Sequence, residues 1–338
     1  RWCEIERKRA ALDRRCAAYM DVQRFKIELH CAELRHLGEG VEDFLPAFAD
    51  RAIGRHGPGI FGKQAGIGFK IAFGDGRLSG RIGLFNGLKG GFGSVRMGRF
   101  DSPFKAARGP ANLFGDQVGD MRNLTRVGNA RFDERYDNTL EYTTPDMNGF
   151  FAKLGYSVQE STVNEDDTDD SVISGSLNYA GDALEAALAY EAADEDTGRG
   201  ERDGIRAAAA YKITDGFKLV GFYQTVDYTN PAATQAVQDA LTSDTYGLGG
   251  ELKVGSATAL KAMWLTRDSD ADNFDSDMLA VGIEHKLDKA VRVYANYAMV
   301  ENDENVALTP WSQARTANPA GALGEDATGF SVGLRYDF

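Results

Sequence analysis

Several absences narrow the reading of these 338 residues. No run of about 18 apolar residues occurs, which excludes a membrane-spanning helix. Cysteine is missing after Cys31. Cys3, Cys16 and Cys31 fit no CxxC redox or metal motif, so neither a disulfide framework nor a thiolate metal site is expected. Histidine is rare, with 4 in the chain. His30 and His36 lack matching carboxylate geometry, His285 stands alone near a strand end, and no Ser/His/Asp order emerges, so no enzyme is expected. Positive charge is in deficit, with 38 Lys and Arg against 51 Asp and Glu. That balance repels phosphate backbones and argues against nucleic acid. Proline is scarce at 8 residues, whereas Gly 39, Tyr 13 and Phe 19 suit twisted strands joined by tight turns.

Residues 1–58 differ from the rest. They hold every cysteine, three of the four histidines and a nearly neutral balance, leaving 27 basic against 41 acidic residues beyond them. The opening "RWCEIERKRAALDRRC" is basic without the apolar stretch of a secretion leader. "CEIERKRAALDRRCAAYMDVQRF" carries helix formers and no alternation, which predicts two short helices.

From about residue 67 the hydrophobic period becomes two. Fourteen strands are predicted, at 67–74, 77–86, 93–100, 136–143, 149–158, 171–180, 182–191, 203–213, 216–227, 244–254, 257–266, 277–287, 289–299 and 328–338. Many run to about ten residues, the length of a tilted strand crossing a bilayer. One face of "GFKLVGFYQT" holds Phe217, Leu219, Gly221 and Tyr223, and one face of the last strand holds Phe330, Val332, Leu334, Tyr336 and Phe338. Such strands escape the test for apolar runs because lipid meets only alternate residues. "ATALKAMWLT" is ambiguous, with both faces partly apolar.

Connections alternate between short (86–91, 144–148, 181, 214–215, 255–256, 288) and long (101–135, 159–170, 192–202, 228–243, 267–276, 300–327). This sorting puts tight turns at one end of a barrel and loops at the other, as in outer-membrane barrels. "GDGR" near residue 75 is short where a long loop is due.

"GGFGSVRMGRFDSPFK" (90–105), "RYDNTLEYTTPDMNGFFAKLGYS" (135–157) and the closing "GFSVGLRYDF" together resemble the Gram-negative general porins, over about residues 67–338. The resemblance implies an all-β, transmembrane antiparallel barrel of 16 strands, with a barrel closed by about 14 strands in this chain as the alternative, and a constriction loop folded inward. It implies a water-filled channel for ions and small hydrophilic solutes in the outer membrane. Further implied are a homotrimer, contact with outer-membrane lipid and lipopolysaccharide, and recognition of the last strand by the barrel-assembly machinery. Residues 59–338 would be the barrel, and 1–58 an atypical segment, helical or the product of a shifted reading frame. A solute-selective channel of the same fold and a soluble all-β binding protein are the alternatives.

A diffusion pore uses a narrow point and the charges that shape its field. The resemblance places Asp101, Asp116 and Asp120 on the constriction loop, faced by Arg77, Arg81 and Arg96 on the barrel wall. Phe330, Tyr336 and Phe338 would form the terminal assembly signal. No cofactor or metal is expected. "DSDADNFDSD" (268–277) begins like a calcium loop but has Asn273 and Leu279 where Gly and Glu belong. "GGFGSVRMG" is no P-loop, since no Gly-Lys-Ser/Thr follows.

Overall fold

The computed structural model describes the backbone of residues 16–21, 26–31, 62–74 and 77–337, apart from 159–170, 195–198 and 314–318, with side chains from residue 86 onward. The chain divides into two compact units, Arg1–Ile60 and Phe61–Phe338.

In the first unit β1 (Cys16–Asp21) pairs antiparallel with β2 (Lys26–Cys31), with Tyr19 opposite Glu28 and Asp21 opposite Lys26. The sequence predicts helix over 16–21. Helix propensity differs by only tenths of a kcal/mol among ordinary residues, and a cross-strand partner close along the chain overrides it.

In the second unit fourteen strands form one sheet in strictly sequential antiparallel order. They are β3 (Gly62–Gly74), β4 (Arg77–Gly90), β5 (Gly93–Asp101), β6 (Arg135–Thr143), β7 (Phe150–Val158), β8 (Ser171–Ala180), β9 (Leu184–Asp194), β10 (Glu201–Thr214), β11 (Phe217–Thr229), β12 (Ser243–Val254), β13 (Thr258–Ser269), β14 (Ser276–Lys286), β15 (Val291–Asn302) and β16 (Ala327–Tyr336). Each matches one predicted strand, and β3 and β16 are the two ends of the ladder. The turns stay short at one end, as at Gly91–Phe92 and between Thr214 and Phe217, where Thr214 Oγ1 accepts from the Phe217 amide at 3.0 Å.

The two faces differ in kind. One exposes Leu140, Leu154, Ile173, Leu188, Leu248, Val281, Phe330 and Val332. The other buries Ser174, Glu191, Arg206, Ala208, Phe222, Met263, Ala280 and Ala298, because residues 102–134 lie on it. That connection holds α1 (Pro103–Ala107), a 3-10 turn at Gly109–Ala111, α2 (Arg122–Thr125) and a second 3-10 turn at Gly128–Ala130. Ser102 caps α1 by accepting from the Lys105 amide at 3.1 Å, and Pro103 takes the first helical position, where no amide is needed.

The covered face curves around this loop. Leu113 lies against Gly249 of β12 and Val118 against Gly329 of β16. Four strand spacings of about 4.8 Å separate those strands by roughly 19 Å in a flat sheet. Five residue steps reach at most about 17 Å, and this stretch is further shortened by a turn in which Gln117 N donates to Phe114 O at 3.0 Å.

Candidate functional site

The loop occupies the inner face, and the wall beneath it is cut to receive it. Under its outer half, 111–124, lie small or flexible residues: Ala208, Ala210, Met263, Ala280 and Ala298. Gly119 has φ +87°, and a Cβ there would sit 2.6 Å from the Ala280 Cβ. Only glycine takes this conformation and this approach together. Amides finish the seat: Asn296 Nδ2 donates to Gln117 Oε1 at 2.8 Å, while Gly119 N and Asn123 Nδ2 both donate to Pro310 O at 2.8 Å.

Where the loop enters and leaves, at 102–108 and 125–134, the wall is charged instead. Arg206 is fully buried and donates to Phe104 O at 3.0 Å, to Asp133 Oδ1 at 2.5 Å and to Gln224 Oε1. Its guanidinium carbon lies 4.1 Å from the centre of the Phe104 ring. Gln224 passes the contact on by donating to Thr125 O at 3.0 Å. Arg202 donates to Arg131 O at 3.0 Å and to the Tyr136 hydroxyl, which itself donates to buried Glu191 at 2.8 Å. Ser174 Oγ accepts from the Phe104 amide at 3.0 Å.

The loop carboxylates that the sequence singles out have different fates. Asp101 ends β5 between Lys105 Nζ at 3.1 Å and Arg135 Nε at 2.6 Å. Asp116, at φ +62°, pairs with Arg122 at 2.8 Å and is half exposed. Asp120 is fully buried; it accepts the amides of Asp116 at 2.7 Å and Arg122 at 2.9 Å and pairs with the Arg122 guanidinium at 2.5 Å. Its carboxylate ties the loop to itself and offers solutes no open face. Burial disfavours the Arg122 charge, but hydrogen bonding and attraction from Asp120, then Asp116, outweigh it and hold its pKa above the usual guanidinium range.

On the wall, Arg96 forks onto Glu141 at 2.9 and 3.0 Å and lies 3.9 Å over the Phe100 ring. Arg77 and Arg81 fall in β4 opposite Gly74 and Lys70, and their side chains lie outside the described residues. Phe330 and Tyr336 point to the outer face of β16 and are exposed, whereas Phe338 lies outside the described residues.

Arg202, Arg206, Gln224 and Asn296 escape a reading of the sequence alone. A signal exists in "ERDGIRAAAAYK": the inner positions run Arg202, Gly204, Arg206, Ala208, Ala210. Cations followed by small residues on a face meant for water mark a wall that holds protein.

The Gram-negative porin family model matches residues 61–305. This chain is a Gram-negative porin. An outer membrane porin, protein 32 of Delftia acidovorans, is 29% identical over 264 residues, covering 74% of this chain and 72% of that protein. An outer membrane porin of Bordetella pertussis is 25% identical over 276 residues, covering 69% of this chain and 71% of that protein. Among solved structures, an anion-selective porin from Comamonas acidovorans superposes with a TM-score of 0.64 at 24% identity, over 82% of this chain and 85% of that one. A loop-deleted OmpT from Vibrio cholerae gives 0.56 at 15% identity, over 80% of this chain and 84% of that one. The porin is therefore an outer-membrane channel for passive diffusion, not an enzyme. Its exposed Leu, Val, Ile and aromatic face is the lipid face, and the face carrying the loop is the channel side.

Proposed function

We propose that this porin is an anion-preferring diffusion channel, narrowed by the seated loop. One observation carries the reading: the channel side is positive although the chain is not. At the short-turn end, Lys89, Arg96, Lys153, Lys212, Lys218, Lys253, Lys261, Lys286, Arg292 and Arg335 share the inner face with Glu141, Glu185, Glu251, Glu284 and Asp337. Among these described residues, cations are twice as many as carboxylates. On the lipid side at the long-loop end the sign reverses. Asp203 faces Asp227, Asp244 faces Asp268 and Asp277 faces Glu301 across neighbouring strands. Charge lining a narrow aqueous path sets which ion is concentrated there, whatever the net charge of the chain. The Comamonas porin, described as anion-selective, supports the same sign.

In this reading Asp101 and Asp116 are the loop charges that solutes meet, and Arg77, Arg81 and Arg96 face them from the wall. Asp120 contributes by holding the loop in shape. Residues 59–338 carry the channel and 1–58 are an atypical segment outside the porin domain, in keeping with a family match that begins at residue 61. The channel works as a homotrimer in contact with outer-membrane lipid and lipopolysaccharide, a state supported by the trimer form of Vibrio cholerae OmpT among its structural neighbours. Phe330, Tyr336 and Phe338 address the last strand to the assembly machinery.

The deciding experiment is the zero-current potential of the refolded porin across a potassium chloride gradient. A potential of the sign for chloride preference supports the proposal, and one for potassium preference overturns it. Adding single solutes to the same bilayer separates a general channel from a selective one, since only the latter shows saturable block.

A further inference from the structure

We infer that Arg206, with Gln224 and Asp133, is a latch that positions the loop and so sets the opening left beside it. Arg206 is fully buried on β10, two residues from buried Ala208, with its guanidinium carbon 5.7 Å from the centre of the Phe222 ring of β11. A buried ion pair replaced whole by apolar residues is often neutral or stabilising, so strand pairing alone does not call for the guanidinium. Two of its donor contacts go to the loop.

What it does is join parts of the loop that are distant along the chain. One donor group reaches Phe104 O, in the first helix, at 3.0 Å and Asp133 Oδ1, at the loop's exit, at 2.5 Å. Its Nε donates to Gln224 Oε1 at 3.0 Å, and Gln224 Nε2 donates to Thr125 O at 3.0 Å, between those two points. Two facing wall positions, Arg206 and Gln224, thus hold the loop at Phe104, Thr125 and Asp133. A planar five-donor fork makes the Arg206 contacts together, and lysine, with one nitrogen, does not. Asp133 meets it in the left-handed conformation at φ +67°, which a non-glycine residue adopts only where its surroundings hold it. Arg108, 3.7 Å from the same carboxylate, adds a second cation from the loop itself.

The test uses the full-length porin in planar bilayers, with three variants. Arg206→Met combined with Asp133→Asn removes both buried charges, Gln224→Ala removes the Thr125 tether and the amide oxygen that accepts from Arg206, and Arg206→Lys keeps the charge without the fork. Fold is checked by the resistance of the unheated barrel to dodecyl sulfate. Hydrogen bonds to a charged group hold a position by roughly 10- to 100-fold each in population. The expected result is a folded barrel whose current flickers between substates, with their occupancy raised about tenfold or more and the closing voltage lowered. Gln224→Ala shows a smaller change of the same kind, and Arg206→Lys falls between wild type and the double variant. Folded variants with the noise, conductance and closing voltage of the wild type overturn the proposal. If the double variant does not fold, the same two readouts on Gln224→Ala decide it.

Discussion

The two halves of the constriction loop are seated by opposite means. The near half, at 102–108 and 125–134, is pinned by buried cations of the wall that donate to its carbonyls and to Asp133. The far half, at 111–124, fits Phe114, Val118, Met121 and Leu124 into space left by Ala280, Ala298 and glycines, and is closed by neutral amides. The near half turns peptide groups toward the wall, and those need donors wherever water is shut out. The far half turns side chains toward it, and those need only room. Placement of the near half depends on charge together with the packing of Phe104 and Phe132, and placement of the far half on volume.

Truncating Phe104→Ala should break the near half most severely, because its ring is fully buried against Phe132, with centroids 4.7 Å apart, and carries the Arg206 guanidinium. A loss of about 3–5 kcal/mol is expected from denaturant unfolding in detergent micelles, together with noisy channels. Gly119→Val attacks the far half by volume. Its positive φ and the 2.6 Å approach to Ala280 should cost about 2–4 kcal/mol, while the anion preference stays put. If Gly119→Val is silent in both unfolding and conductance, the claim that the far half is a matter of fit fails.

Acid should separate the halves without mutation. Burial opposes ionisation of Asp133, but Arg206, then Arg108, outweigh it and hold its carboxyl below the usual range. Burial likewise opposes ionisation of Glu134, and Arg131, Arg199 and Arg126 outweigh it. A carboxyl with a depressed folded pKa stabilises fully above its ordinary value and loses that contribution as pH falls through the folded one. Loop-dependent noise should therefore rise below about pH 4. Gly119→Val channels should show the same acid response, since the contacts of the far half with the wall carry no titrating group; its Asp116 and Asp120 pair with Arg122 inside the loop. A far half that parts from the wall first in acid would contradict this. The smallest effect is expected from Asn296→Ala, at about 1–2 kcal/mol for the lost partner of Gln117, with no change in pH response.

The strands were legible in the sequence because each carries its own alternation. Leu219, Gly221 and Tyr223 share a face through covalent geometry alone. The ambiguity of "ATALKAMWLT" has a tertiary cause: Trp264 faces lipid, while Met263 and Leu265 lie beneath the loop, so both faces are apolar for different reasons. Asp116 and Asp120 read alike in the sequence, and only the fold of the loop left one half exposed and buried the other. The strands at 16–21 and 26–31 were not legible, because helix formers disguise a pairing that neither strand shows alone.

The sequence by itself determined a long series of two-faced strands, the sorting of short and long connections, and a loop of the right length in the right place. These rest on neighbours one or two residues apart. Only the tertiary structure decided which inner positions hold the loop and which face water. Arg206 lies 102 residues from the carbonyl it holds, and Asn296 lies 179 from its partner. Contacts across such distances leave no period in the chain, because their partners meet only after the sheet has curved around the loop.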